Sequence, residues 1–311
     1  MQIPRLLVVS LATVTLCFLN SCRKKDSSPD TEFRFSSSIT VDGRERTYIL
    51  QLPPNYYEAD NFSLVIAMHG GGGSGEQFES TSHLSVKARA AKFAVVYPDG
   101  VQSDGLLKAR TWNAGSCCDY ASENNINDVR FISELIDRLV LDYKIDRKKV
   151  YATGHSNGGM LAYRLACELS NKIAAIAPNG TTMVVEQPCN ASRPVPILHM
   201  HSILDQHVPY AGGMGSGISK HYNPPIDSVL NVWQQKNQCA QPAQVIQDNG
   251  SYKLTKWVDC LNNVAIHYYL TKDGGHSWPG GEPGSVFGDN TSTAINANDL
   301  LWEFFQQHQL P

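Results

Sequence analysis

Val150-Tyr151-Ala152-Thr153-Gly154-His155-Ser156-Asn157-Gly158-Gly159-Met160 is a short strand-forming run, then a G-x-S-x-G core, then helix-forming residues. The order predicts a nucleophile elbow, in which a buried strand turns sharply at a serine and runs into a helix. Gly154 and Gly158 suit so tight a turn, because a Cβ at either position would strike the neighbouring strand or helix. A glycine-rich loop with an incidental serine is the plain alternative. The rest of the chain decides between them by whether it supplies an acid, a histidine and an oxyanion hole.

A serine hydroxyl is a weak nucleophile at neutral pH and needs a base within reach plus a third group to orient that base. On this fold the order is serine, acid, histidine. Asp205 stands just past the apolar run Val195 to Met200, and His276 follows the run Val264 to Leu270 inside Gly274-Gly275-His276-Ser277-Trp278. The expected triad is therefore Ser156, Asp205 and His276. The oxyanion of an acyl transfer also needs aimed N–H donors. Asn157, after the nucleophile, offers one, and Gly71 in His69-Gly70-Gly71-Gly72-Gly73 offers the other; no G-K-[ST] follows to make that run a phosphate loop. His199 and His201 share one face of a strand and read as hydrogen-bonded packing residues rather than metal ligands. His155 reads as structural, pointing away from the nucleophile.

Continuous apolar runs at Leu64 to Met68, Phe93 to Tyr97, Val150 to Thr153, Ile173 to Ala177 and Val195 to Met200 suit strands buried on both faces. Between them, Asp128 to Tyr143 carries Val129, Ile132, Leu135, Ile136, Leu139 and Val140 at helical spacing. Ile226 to Gln238 and Ala297 to Gln309 also read as helices. The alternation implies an α/β fold with a mostly parallel central sheet, helices on both faces and ligands at the strands' carboxyl ends. Glu32 to Leu52, turning at Asp42-Gly43, reads as an antiparallel hairpin at the N-terminal side. Residues 32–311 form one catalytic domain on this reading.

The first residues read as an export signal. Arg5 precedes an apolar run from Leu6 to Leu19, and Leu19-Asn20-Ser21-Cys22 follows, similar to the cleavage site of a bacterial lipoprotein. Residues 1–21 are then a lipoprotein signal peptide, Cys22 the lipidated residue and 22–31 a polar, flexible tether to the cell envelope; an ordinary signal peptide is the alternative. Apart from Cys17 in the signal run and Cys22, six cysteines remain, which suits an oxidising compartment. Cys239 is expected to join Cys260, and Cys117 and Cys118 to join Cys167 and Cys189, because adjacent cysteines close a strained ring. A zinc site competes, but no C-x-x-C pair is present. The formal net charge of −3, with no basic cluster in the body of the chain, excludes a nucleic-acid role.

Leu64 to Gly75, Thr111-Trp112-Asn113-Ala114-Gly115-Ser116-Cys117-Cys118, Asn127-Asp128-Val129, Gly154 to Gly159, the Asp205 segment through Tyr210, and Gly274 to Gly281 together resemble the polyhydroxybutyrate depolymerase and feruloyl esterase-like group of α/β-hydrolases, related to carbohydrate esterase family 1. The resemblance covers nearly all of the chain after the tether. It implies the α/β-hydrolase fold, a secreted serine esterase without metal or organic cofactor, the same three triad residues, and Trp112 and Trp278 near the substrate cleft. Ser116 and Ser202 stand where the group favours smaller residues. Feruloyl or acetyl esters of xylan are the expected substrates, with polyhydroxyalkanoates as runner-up and a peptidase as a third option. A non-catalytic binding protein on the same scaffold is the alternative of another class.

Overall fold

The computed structural model describes residues 33–217, 219–286 and 288–311, and residues Phe33–Pro311 cluster as one unit. The signal run, Cys22 and the 22–31 tether lie outside the described residues. β1 (Arg34–Val41) and β2 (Arg44–Gln51) form the expected hairpin, turning at Asp42 and Gly43, both with positive φ as a tight reversal requires. β3 (Phe62–Met68) follows, and helices α1 (Gly75–Ser82) and α2 (Leu84–Ala91) return the chain to β4 (Ala94–Pro98). A ribbon of β5 (Val101–Gln102) and β6 (Arg110–Thr111), then α3 (Asp119–Glu123), lead to α4 (Asp128–Asp142). β7 (Ile145–His155), α5 (Asn157–Glu168), β8 (Ala175–Asn179) and β9 (Ile197–Ser202) complete the centre. The chain then forms a second ribbon, β10 (Gly213–Met214) with β11 (Tyr222–Asn223), α6 (Ile226–Lys236), β12 (Gln244–Asp248), β13 (Tyr252–Trp257), β14 (Ile266–Thr271) and α7 (Ala297–Phe305).

Ten strands form one sheet in the order β1-β2-β4-β3-β7-β8-β9-β14-β13-β12. From β4 to β14 neighbours run parallel, and both edges are antiparallel. The β12–β13 edge was not expected from the sequence. Its outer strand is exposed at every residue, so it shows neither a continuous apolar run nor a buried alternate face.

Alternation along β3 sorts the two cores. Leu64, Ile66 and Met68 pack with the inner residues of α4, α5 and α6, whereas Val65 and Ala67 pack with Phe78, Leu84, Leu301 and Phe305 from α1, α2 and α7. Helices therefore cover both faces. Asn127 and Asn296 cap α4 and α7 by accepting from Arg130 N and Asp299 N, which fixes where those helices begin.

A buried ion pair ties three segments together. Arg46 on β2 donates to Asp128 Oδ1 at the start of α4 (2.6 Å), and Asp128 Oδ2 accepts from the Asn113 amide (2.7 Å). The guanidinium also donates to Asp99 O and lies 4.0 Å over the Phe131 ring. Both side chains are almost wholly buried.

The disulfides correct one expectation. Cys239 joins Cys260 as expected, but Cys167 joins Cys189, with Cα atoms 4.8 Å apart, and Cys117 joins Cys118 across a cis peptide. Cys167 on α5 packs in the core with Cys189, whereas Cys117 and Cys118 sit in a separate cluster with Met160, Val184 and Val208. The two groups are therefore not neighbours, and each pair closes within its own cluster.

Candidate active site

The elbow forms as its glycines require. A Cβ on Gly154 would come within 2.5 Å of the Gly158 carbonyl carbon, and one on Gly158 would strike the Met68 and His69 carbonyls. Ser156 itself adopts φ 53°, ψ −122°, a strained conformation for a non-glycine residue, at the N-cap of α5. Backbone bonds hold it there: Ser156 N donates to Asn179 O (3.0 Å), and Thr181 Oγ1 donates to Ser156 O (2.8 Å). The Ser156 hydroxyl makes no capping bond to the helix, unlike the caps of α1, α4 and α7. It is left available at the carboxyl end of β7.

Asp205 and His276 meet against the ring of His155, the residue before Ser156. His276 Nδ1 donates to Asp205 Oδ2 at 2.8 Å, and Asp205 Oδ1 accepts from the His207 and Val208 amides at 2.9 and 2.8 Å. Burial alone would raise the Asp205 carboxyl; the charge and hydrogen bond of His276, with His201 and the Val208 amide, outweigh it and hold the group below its ordinary range. The His276 amide donates to Asp289 Oδ2 (2.6 Å), which anchors the histidine loop from outside the triad. The imidazole itself is flanked by two other rings, His155 at 4.5 Å and His207 at 4.9 Å between centroids. His155 thus faces the site rather than away from it: Asn179 Nδ2 donates to His155 Nδ1 (2.9 Å) and to Ser277 O (2.9 Å), turning the ring onto His276.

A directional chain of donors backs the acid. His201 Nε2 faces two acceptors, Val208 O at 2.7 Å and Asp205 Oδ2 at 3.4 Å, so it carries the proton and His201 Nδ1 accepts. His199 Nε2, 3.2 Å from that nitrogen, must then donate, which leaves His199 Nδ1 to accept from Tyr163 Oη at 2.8 Å. Burial pushes both imidazoles toward the neutral form that this pattern needs. His199 and His201 are the hydrogen-bonded strand residues expected from the sequence.

The glycine loop after β3 is set by His69. Its Nδ1 donates to Gly70 O (2.7 Å) and its Nε2 accepts from Gly100 N (2.9 Å). Gly70 lies so close to the elbow that a Cβ there would sit 3.4 Å from Ser156 Cβ. Gly72 N and Gly73 N bond to Arg110 O and Gly70 O, but the Gly71 and Asn157 amides take no acceptor among the described residues. The Asn157 side chain clamps Trp112 from both sides, accepting from its N (2.7 Å) and donating to its O (2.9 Å).

Trp112 and Trp278 do not line a cleft surface, which corrects the expectation from the resemblance. They are 0% and 3% exposed, and their indole N–H groups donate to His69 O and Asn298 Oδ1. Each packs beneath a site loop and holds it. Among the described residues, Cys117, Cys118 and His221 bring ligand atoms within 4.8 Å of one another, with both sulfurs joined in a disulfide. Of the supporting residues, His207, Asn179 and Asp289 were missed by sequence reasoning, and His155 was read with its ring turned the wrong way. No spacing rule marks them, because each is a loop or strand-end residue whose partner is distant in sequence.

The buried neutral histidines make stability depend on acid. Burial foremost lowers His69 to about 4 and His155 to about 3, against about 6.5 in an unfolded chain. The unfolded state then binds more protons at intermediate pH, so this stability is complete above about pH 6.5 and is lost as pH falls toward those lower values. The thermal midpoint should drop by about 10 °C between about pH 7 and about pH 4.5. A midpoint that stays level over that range would contradict the burial of neutral rings.

A family model described as esterase PHB depolymerase matches residues 46–199. The chain is 27% identical over 276 residues to feruloyl esterase B of Piromyces equi, covering 86% of this chain and 46% of that protein. It is 28% identical over 224 residues to the bifunctional acetylxylan esterase/xylanase XynS20E of Neocallimastix patriciarum, covering 70% of this chain and 29% of that protein. It thus spans less than half the length of these two relatives. A probable feruloyl esterase C of Aspergillus terreus aligns over 95% of this chain and 96% of its own length at 27% identity. Among solved structures, an acetyl xylan esterase from Aspergillus awamori superimposes with a TM-score of 0.60 at 15% identity, over 88% of this chain and 99% of that one, and supports the fold alone. The elbow, the sheet order and these relatives agree on an α/β-hydrolase that is similar to the polyhydroxybutyrate depolymerase and feruloyl esterase-like group.

Proposed function

We propose that this protein is a serine esterase that hydrolyses carboxylic esters of plant polysaccharide, feruloyl or acetyl esters of xylan, through an acyl-enzyme. The observation that carries the reading is the Asp205–His276 pair, held by four separate contacts, on a chain whose elbow leaves the Ser156 hydroxyl uncapped. His276 Nε2 takes the proton of Ser156 as Oγ attacks the ester carbonyl. The Asp205 carboxylate stabilises the imidazolium, and the Gly71 and Asn157 amides receive the oxyanion. Collapse of the tetrahedral adduct expels the alcohol, protonated by His276. Water then attacks the acyl group with His276 again as base, releasing the acid and restoring Ser156. Acid, base and oxyanion donors all come from the chain itself.

Relatives whose names specify feruloyl and acetylxylan esters favour those substrates over a polyester. Export agrees with the cysteine pairs and with the signal-like N-terminus, and a lipid on Cys22 would hold the enzyme at the cell envelope. Purified protein offered methyl ferulate, acetylated xylan and hydroxybutyrate oligomers should turn over at least one of the first two faster than the third. Preference for the hydroxybutyrate oligomers would move the assignment to a polyhydroxyalkanoate depolymerase.

A further inference from the structure

A cavity of about 470 Å³ opens beside the acid loop between α6 and the β13–β14 edge of the sheet. That volume is within the range of about 300–1,000 Å³ that holds small ligands. Its mouth is fixed to the site already described. Tyr210 lies five residues beyond Asp205, and its carbonyl accepts from Ile226 N at the start of α6 (3.0 Å). The lining combines aromatic rings, Tyr210 at 38% exposure with the buried Trp257 and Tyr268, with polar groups, the solvent-exposed Asp227 and Asn231 and the half-buried Lys253, whose charge also acts on Asp248. Asp227, Asn231 and Lys253 make no hydrogen bond to another side chain and no ion pair among the described residues, in contrast to Lys272 and Asp248 nearby, which pair with each other. Tyr268 Oη is buried with no partner at all, and Asp227 and Tyr210 are the groups whose charges reach it.

One carboxylate, one ammonium and one amide around the same space balance in charge, so the cavity selects neither an anion nor a cation. Their donors and acceptors alternate around an exposed tyrosine ring, against which the apolar face of a pyranose can pack. We propose that this cavity is an accessory subsite for a neutral oligosaccharide segment, which holds the polysaccharide chain while an ester group on it enters the serine site. The choice of a sugar rests on the polysaccharide-ester reading above; the existence of a binding site does not.

The test uses the full chain and unesterified probes, so that no turnover is involved. Calorimetric titration with xylotetraose or cellotetraose should give saturable binding. Asn231→Ala and Lys253→Ala should each weaken it by about 3- to 10-fold, the range expected for one lost hydrogen bond, at an unchanged thermal midpoint. Absence of saturable binding by both probes would overturn the proposal, as would binding that both substitutions leave untouched. Equal or tighter binding of tetragalacturonate, which carries a carboxylate on each ring, would overturn the assignment to neutral sugars. Failure of the esterase reading would show separately, as ester hydrolysis that does not depend on Ser156.

Discussion

Ser156→Ala should lower kcat/KM for methyl ferulate or an aryl acetate by about 10⁴- to 10⁶-fold, the range seen when a triad serine is removed. The fold should be indifferent to the change. The Ser156 hydroxyl caps no helix, and the elbow is held by backbone bonds that alanine retains, to Asn179 O and from Thr181 Oγ1. The thermal midpoint of the variant should therefore stay within about 2 °C of the parent, equivalent to a stability change of no more than about 1 kcal/mol. Turnover above about one part in a hundred would mean that another nucleophile or a bound hydroxide performs the attack, because the remaining oxyanion donors alone sustain only about 10³- to 10⁴-fold over water. A variant that loses both activity and its folded state would leave the loss to be read from the labelling measurement described below.

The largest effect on stability is expected far from the nucleophile. Asp128→Ala removes one partner of a buried ion pair and should destabilise the protein by about 3–5 kcal/mol, read as a lower midpoint in urea or guanidinium unfolding. The cost comes from what is left behind. The Arg46 guanidinium keeps the Asp99 carbonyl and the Phe131 and Trp112 rings but no counter-charge, and the Asn113 amide loses its acceptor in the interior. The consequences reach the site, because the segment from Asn113 to Cys118 leads directly from Trp112, which the Asn157 side chain holds at the elbow. Arg46→Ala should cost a similar amount for the complementary reason, a buried carboxylate without its counter-charge. A change below about 1 kcal/mol for either would show that the pair is solvated.

Much of the fold was legible because its decisive signals are local. Gly154 and Gly158 are demanded by contacts within a single turn, and the apolar runs of β3, β4, β7, β8 and β9 report burial on both faces without reference to any partner. Strand ends fall within a few residues of the predicted ones. Asp205 and His276 could be picked out because each follows such a run, and their 2.8 Å contact bridges 71 residues of sequence. The features that escaped are those set by packing between distant segments. β12 carries no buried face to betray it. Trp112 and Trp278, read as cleft residues, are instead core residues whose N–H groups find acceptors in loops that the sequence cannot place. The cysteine pairing turned on which cluster Cys167 joins, and the rings beside His276 depend on how the elbow and the acid loop converge in space. Asp289 reaches the His276 amide from 13 residues away in an irregular loop, with no periodic pattern to mark it.

The central claim is that Ser156 is an activated nucleophile, and covalent labelling tests it without any assumption about substrate. The full chain should be treated with a fluorophosphonate probe and examined by intact mass and peptide mapping. A single adduct on Ser156, absent from Ser156→Ala and from His276→Ala, is the result expected of this site. An unlabelled protein with its fold intact, or an adduct on a different residue, would contradict it.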